Sequence, residues 1–125
     1  MLIGVLRESK EFEKRVALTP DIVKLLIKKG FQVLIETGAG LSSAFSDLNY
    51  KEAGAKIVEA REIYEVKILV KVNPFTIQEV NQMKSETVCI SFLYAYTQAL
   101  ITFTNTDKLV LLSAKKPYGL NVLAF

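Results

Sequence analysis

Pro20-Asp-Ile-Val-Lys-Leu-Leu-Ile-Lys-Lys-Gly-Phe-Gln-Val-Leu-Ile-Glu36 carries two hydrophobic periods back to back. From Pro20 to Lys29, Ile22, Leu25 and Leu26 share one helical face, which Val23 and Ile27 widen. Asp21 opens this helix and Lys28-Lys29 closes it, both favourable to its dipole, and Gly30 stops it. Phe31 to Glu36 then runs as an apolar core segment of the kind found in parallel sheets. Upstream, Leu2 to Val5 reads as the first strand of the same unit. Strand, helix and strand in this order predict a parallel crossover.

Working outward, Thr19 is a good N-cap and Pro20 suits the first helical position, where its missing N–H costs nothing. Arg7 to Lys14 is dense in charge and reads as an exposed loop, after which Arg15 stands before Val16, Ala17 and Leu18. Arg15 therefore sits on a rigid helix entry near the carboxyl end of the first strand. Open α/β sheets bind ligands at such ends. A guanidinium there can grip a carboxylate or phosphate bidentately. Taken by itself, the residue reads more readily as a surface or structural arginine.

The alternation continues. A Gly/Ser loop spans Thr37 to Ala44. Ser46 caps a helix through about Ala53, which Gly54 ends. Lys56 to Val58 is a third strand, Ala60 to Glu65 a short helix and Lys67 to Val72 a fourth strand. Pro74 starts a helix to about Lys84 with Ile77 and Val80 inward, and Thr87 to Leu93 is a fifth strand. Thr97 to Phe103 is expected to be helical, Asn105 or Thr106 to cap a helix through about Lys116, and Leu120 to Phe125 to form a sixth strand. The whole predicts a mostly parallel sheet with helices on both faces, in one domain over residues 1–125. The last residues, Leu123-Ala124-Phe125, have no polar tail and suggest a piece of a longer chain.

Composition narrows the chemistry. With 50% hydrophobic and 23% charged residues, the chain has the makings of a core. The net charge is +3 with no basic stripe, so nucleic acid is not an expected partner. There is no histidine, which removes the commonest general base and metal ligand, and no metal site is expected. Cys89 lies in an apolar run and reads as a buried, inert thiol. No signal or transit peptide is expected. Thr87 to Thr106 is uncharged and long enough to span a bilayer, but its polar residues favour a buried strand followed by a helix.

Two stretches bear on a site. Gly38-Ala39-Gly40-Leu41-Ser42-Ser43 nearly matches a dinucleotide fingerprint, but Ser43 replaces the third glycine and no helix begins directly in it; it reads as a turn. In Lys71-Val72-Asn73-Pro74, Pro74 forces Asn73 out of the helical region, so the fourth strand ends sharply with Lys71 at its carboxyl edge. Arg15 and Lys71 at strand ends can build an anion site, or be two separate solvated charges. Tyr94, at the end of the fifth strand, is available as a polar aromatic lid.

Ile3-Gly4-Val5, Arg7-Glu8, Arg15 to Pro20, Glu36-Thr-Gly-Ala-Gly40, Phe45-Ser-Asp47, Tyr50, Ala53-Gly-Ala55 and Lys71-Val72 together resemble the amino-terminal domain shared by alanine dehydrogenase and the alpha subunit of proton-translocating NAD(P) transhydrogenase. The resemblance implies a flavodoxin-like first domain. It makes Arg15 and Lys71 match the residues that hold the substrate carboxylate and carbonyl in alanine dehydrogenases. Tyr94 stands where those enzymes place a catalytic histidine, and a phenol of ordinary pKa ~10 substitutes poorly for imidazole. Lys71-Val-Asn-Pro74 and Ser91-Phe-Leu-Tyr94 look more like the transhydrogenase branch. That branch implies hydride transfer between NAD(H) and NADP(H) coupled to proton movement, with both cofactors in the complete enzyme and none on residues 1–125. It also implies partner domains for NAD, membrane and NADP, a homodimer, and a place on the cytoplasmic or mitochondrial matrix side of a membrane. An alanine-dehydrogenase-like or saccharopine-dehydrogenase-like enzyme, or a non-catalytic assembly module, is the alternative. Arg15, Lys71 and Tyr94 are the expected cleft-facing residues, with no catalytic residue assigned.

Overall fold

A computed structural model describes residues 1–84, 86–92, 109–113 and 123–124. Its elements are β1 (Leu2–Val5), α1 (Pro20–Lys28), β2 (Gln32–Glu36), α2 (Asp47–Glu52), β3 (Lys56–Val58), α3 (Ala60–Ile63), β4 (Ile68–Val70), α4 (Ile77–Gln82), β5 (Thr87–Ser91), β6 (Leu109–Ser113) and β7 (Leu123–Ala124). One seven-stranded sheet has the order β3-β2-β1-β4-β5-β6-β7. Every neighbouring pair is parallel except β6 with β7. The mostly parallel α/β architecture read from the sequence is what the chain adopts. The order winds outward from β1 to β3, then restarts at β4, so the topological switch point lies between β1 and β4.

Alternate residues along each strand feed two separate cores, as a period of two requires. Val33 and Ile35 of β2 pack with Val5, Val23, Tyr50 and Ala55, under α1 and α2. Leu34, from the same strand, joins Leu6, Val58, Ile63, Leu69, Phe75, Val80 and Cys89, under α3 and α4. Helices thus cover both faces. Gly4 marks the closest approach on the second face: a Cβ there would lie 2.8 Å from Val66 Cγ2. Only glycine lets the segment after α3 pack this tightly on β1.

Local signals explain most element bounds. Pro20 is the first residue of α1, and Thr19 takes the extended N-cap conformation without a side-chain cap bond. Ser46 caps α2 reciprocally with Asn49. Three expectations need correction. The buried face of α1 is Val23 with half-buried Leu26 and Ile27, while Ile22 and Leu25 are exposed. The fourth helix begins at Ile77, not Pro74, because Thr76 and Glu79 form a capping box; Phe75 is buried ahead of it and Ile77 faces out. Residues 109–113, expected within a helix, are β6 and pair with β5 along its whole length. A short apolar run does not distinguish strand from buried helix by period. Within the expected final strand, Leu123–Ala124 pair with β6 antiparallel, and the rest of Leu120 to Phe125 lies outside the described residues. The helix expected over 97–103 lies outside the described residues. Among the described residues no helix is long and apolar enough to cross a membrane.

Candidate functional site

The loop after β1 and the ends of β4 and β5 meet at the switch point. Glu8, in that loop, accepts hydrogen bonds from the backbone N–H groups of Val72 and Asn73 and from Asn73 Nδ2 (3.2 Å). One carboxylate thus braces two strand ends 64 residues apart in sequence. Asn73 Nδ2 also donates to Glu13 (2.8 Å). Glu13 in turn takes three bonds from Arg15: its backbone N–H at 2.9 Å, Nε at 2.8 Å and a terminal nitrogen at 2.9 Å. The Arg15 side-chain bonds, opposing the desolvation of the carboxyl, hold the Glu13 pKa down to about 2. Arg15 therefore stands in a fixed fork, with its guanidinium 6.0 Å from the Phe92 ring just beyond β5.

Beside this network is a cleft of about 370 Å³, bounded by Arg7, Glu8, Lys10, Phe12, Glu13, Lys14, Arg15, Gly38, Ala39 and Ser42. Four cations against two carboxylates leave its walls at +2, a setting for an anion. Glu36, at the end of β2, does not line it. Its carboxylate accepts the Arg7 N–H (2.7 Å), and burial raises its pKa. The glycine turn after β2 is committed internally: Asp47 accepts from the Gly38 N–H and the Thr37 hydroxyl, both at 2.9 Å. The N–H that a phosphate would need there already faces a carboxylate.

Lys71 emerges at the same edge of the sheet but turns to the other core. Its Nζ reaches both oxygens of Glu79 at 2.9 and 3.0 Å, and its side chain is 1% exposed. The Phe75 ring lies 5.6 Å from that ammonium. Glu79 serves twice, since Oε2 also accepts the Thr76 N–H at 2.7 Å and caps α4. Tyr64, near Glu79, has its phenol pushed up to about 12 chiefly by burial. Of the three residues expected to face a cleft, Arg15 lines the cationic one, Lys71 lies beneath α4, and Tyr94 is outside the described residues.

Sequence reasoning missed Glu8, Glu13, Asn73 and Glu79 as organisers of the edge. For Glu79 a signal existed: Thr76-Ile-Gln-Glu79 is a capping-box pattern. For Glu8 none did, because its partners lie far along the chain. Among the described residues, no group of three or more acidic, cysteine or histidine side chains is arranged to hold a metal.

The arrangement has relatives. Residues 4–116 match the family described as alanine dehydrogenase/PNT, N-terminal domain. The NAD(P) transhydrogenase subunit alpha of Haemophilus influenzae is 42% identical over 124 residues, covering 99% of this chain and 22% of that protein. Alanine dehydrogenase 2 of Staphylococcus aureus is 38% identical over 112 residues, covering 89% of this chain and 30% of that protein. Among solved structures, a transhydrogenase from Sinorhizobium meliloti superimposes with a TM-score of 0.83 at 30% identity, over 90% of this chain and 34% of the other. An L-alanine dehydrogenase gives 0.80 at 31% identity, over 90% and 31%. The chain thus spans about a fifth to a third of the length of these relatives. By sequence and by fold, the chain belongs to the alanine dehydrogenase/PNT N-terminal domain family.

Proposed function

We propose that this domain serves an NAD(P) transhydrogenase alpha subunit, whose complete enzyme transfers hydride between NAD(H) and NADP(H) and couples the transfer to proton translocation. The observation that carries the reading is the 42% identity to a transhydrogenase alpha subunit across 99% of the chain. The lack of any histidine supports it, because hydride exchange between two nicotinamide rings needs no acid–base group of that kind. In this reading the domain supplies one wall of the nucleotide cleft, through the cationic edge around Arg15. NAD(H) and NADP(H) are held by other parts of the enzyme, and residues 1–125 alone bind neither tightly. The domain stands on the cytoplasmic or matrix side of the membrane, within a homodimer.

A second reading is a dehydrogenase acting on a 2-oxo acid, favoured by the 38% identity to alanine dehydrogenase. Here Arg15 and Lys71 hold the substrate carboxylate and carbonyl, which requires Lys71 to leave Glu79. Two chimaeras separate the readings. Residues 1–125 replace the matching domain of the Haemophilus influenzae transhydrogenase in one, and of the Staphylococcus aureus alanine dehydrogenase in the other. Hydride transfer from NADH to an NADP analogue by the first chimaera alone is expected. Restored NADH oxidation with pyruvate and ammonia by the second, with a silent first, overturns the transhydrogenase reading.

A further inference from the structure

We propose that Phe12 is a ligand-contacting residue of the cationic cleft, its ring stacking on the flat ring of a nucleotide whose phosphate the neighbouring cations hold. The proposal rests on the reading that this edge forms one wall of a nucleotide cleft. Phe12 borders the cleft. It is 89% exposed, more than any other large hydrophobic residue among those described. Its φ of 63° lies in the left-handed region, which bulky side chains avoid.

The local turn accounts for the conformation but not for the residue. Glu13 N–H donates to Lys10 C=O at 3.1 Å and closes a four-residue turn over Lys10, Glu11, Phe12 and Glu13. With φ positive only at its third residue, the turn is of type II, where glycine or asparagine fits best. Phenylalanine there strains the backbone, and with its ring in water it gains no burial. A residue that weakens the fold on both counts, at the mouth of a cleft, has its use in binding. The turn is also held still. On one side Glu8 accepts the N–H groups of Val72 and Asn73. On the other, Glu13 is locked to Arg15, and the Ser43 hydroxyl donates to Lys14 C=O. The ring is thus presented before any ligand arrives, which lowers the ordering cost of contact.

Charge and shape select the ligand. Arg7, Lys10, Lys14 and Arg15 against Glu8 and Glu13 suit a phosphate. A bare phosphate would leave the Phe12 ring without a contact. A ring carried on the same molecule meets that aromatic face, as nucleobases do on aromatic side chains in general. Nicotinamide and adenine share this chemistry.

The experiment titrates the purified chain separately with nicotinamide mononucleotide, AMP and inorganic phosphate, following backbone amide shifts by NMR. At least one nucleotide is expected to shift Phe12 and Arg15 saturably, and the tighter of the two identifies the ring. Phe12→Ala is expected to weaken that nucleotide about tenfold and to leave phosphate unchanged. Phe12→Tyr keeps the binding. Phe12→Gly is expected to weaken the nucleotide equally while raising the Tm of the ligand-free chain by about 4 °C, because glycine takes positive φ without strain. A phenylalanine that served only the fold would lower the Tm when replaced by glycine. Equal nucleotide affinity with and without the ring, or a loss in Phe12→Ala that phosphate shares, overturns the proposal. Failure of the underlying reading looks different. If nucleotides shift Arg15 but never Phe12, only the Phe12 assignment fails. If no nucleotide shifts any amide of the cleft, the reading of this edge as a nucleotide wall fails with it.

Discussion

Changing Glu79 to Gln removes one charge and little else. Glutamine at this helix position still caps α4, since Glu and Gln serve equally in a capping box. What is lost is the counter-ion of Lys71, whose side chain is 1% exposed. Breaking a buried pair by removing one partner costs about 3–5 kcal/mol. With a urea slope of about 1–3 kcal/mol/M, the unfolding midpoint should fall by about 2 M. Lys71→Met should cost less, about 1–2 kcal/mol, because Glu79 is 12% exposed and keeps the Thr76 N–H, while methionine packs well against Phe75. The double variant leaves no buried charge, so it should be about as stable as Lys71→Met alone. A double-mutant cycle by urea denaturation should then give a coupling equal to the whole cost of Glu79→Gln, about 3–5 kcal/mol. Additive losses would refute the claim that this pair is one energetic unit, and with it the placement of Lys71 beneath α4.

Other consequences are simpler to read. Glu13, whose pKa drops from 4.5 to about 2, contributes stability that is present above the ordinary carboxylate range and lost as the pH falls through it toward 2. Glu13→Gln should flatten acid unfolding in that window by about 1 kcal/mol, a small value because Arg15 is solvent-exposed. Tyr50→Phe removes the bond from the buried phenol to Leu18 C=O (2.8 Å) and should cost about 1–2 kcal/mol in thermal unfolding. Gly40→Ala should destabilise by about 2 kcal/mol or more, since its Cβ would lie 2.6 Å from Tyr50 Cε2 and 2.8 Å from Phe45 O. Cys89, 1% exposed with its thiol pushed up to about 12 by burial, should resist a thiol reagent at pH 8 and react only at the rate of unfolding.

Where a run of residues decided its own structure, the sequence was readable. Val33 to Ile35 could only be buried on both faces, and Ser46 announced α2. Errors arose where two local signals competed. Pro74 and Thr76 both open helices, and the reciprocal bond of Thr76 with Glu79 prevailed while Phe75 was drawn into the core. In α1 the apolar residues outnumber the places available, and burial of Val23, Leu26 and Ile27 leaves Ile22 and Leu25 outside. The site was legible only as two isolated cations. The carboxylates that fix them were not: Arg15 is held by a near neighbour that looked like part of a solvated loop, and Lys71 by a residue one turn into the next helix. The brace from Glu8 depends on the fold bringing β1 beside β4, which no local pattern encodes.

The division of the interior into two unconnected cores sets an order of events. The cluster under α1 and α2 draws its members only from residues 5–57. The cluster under α3 and α4 needs residues as far along as Cys89. A chain emerging from its amino end can therefore consolidate one side of β1 and β2 before the other side has a cover. Until β4 and α4 arrive, Leu6 and Leu34 face water. Early folding is local and fast on one face, and the second face closes late, as a long-range event. The strand ends around Arg15 and Lys71 take shape only at that closure, so the site forms after the first face is already packed.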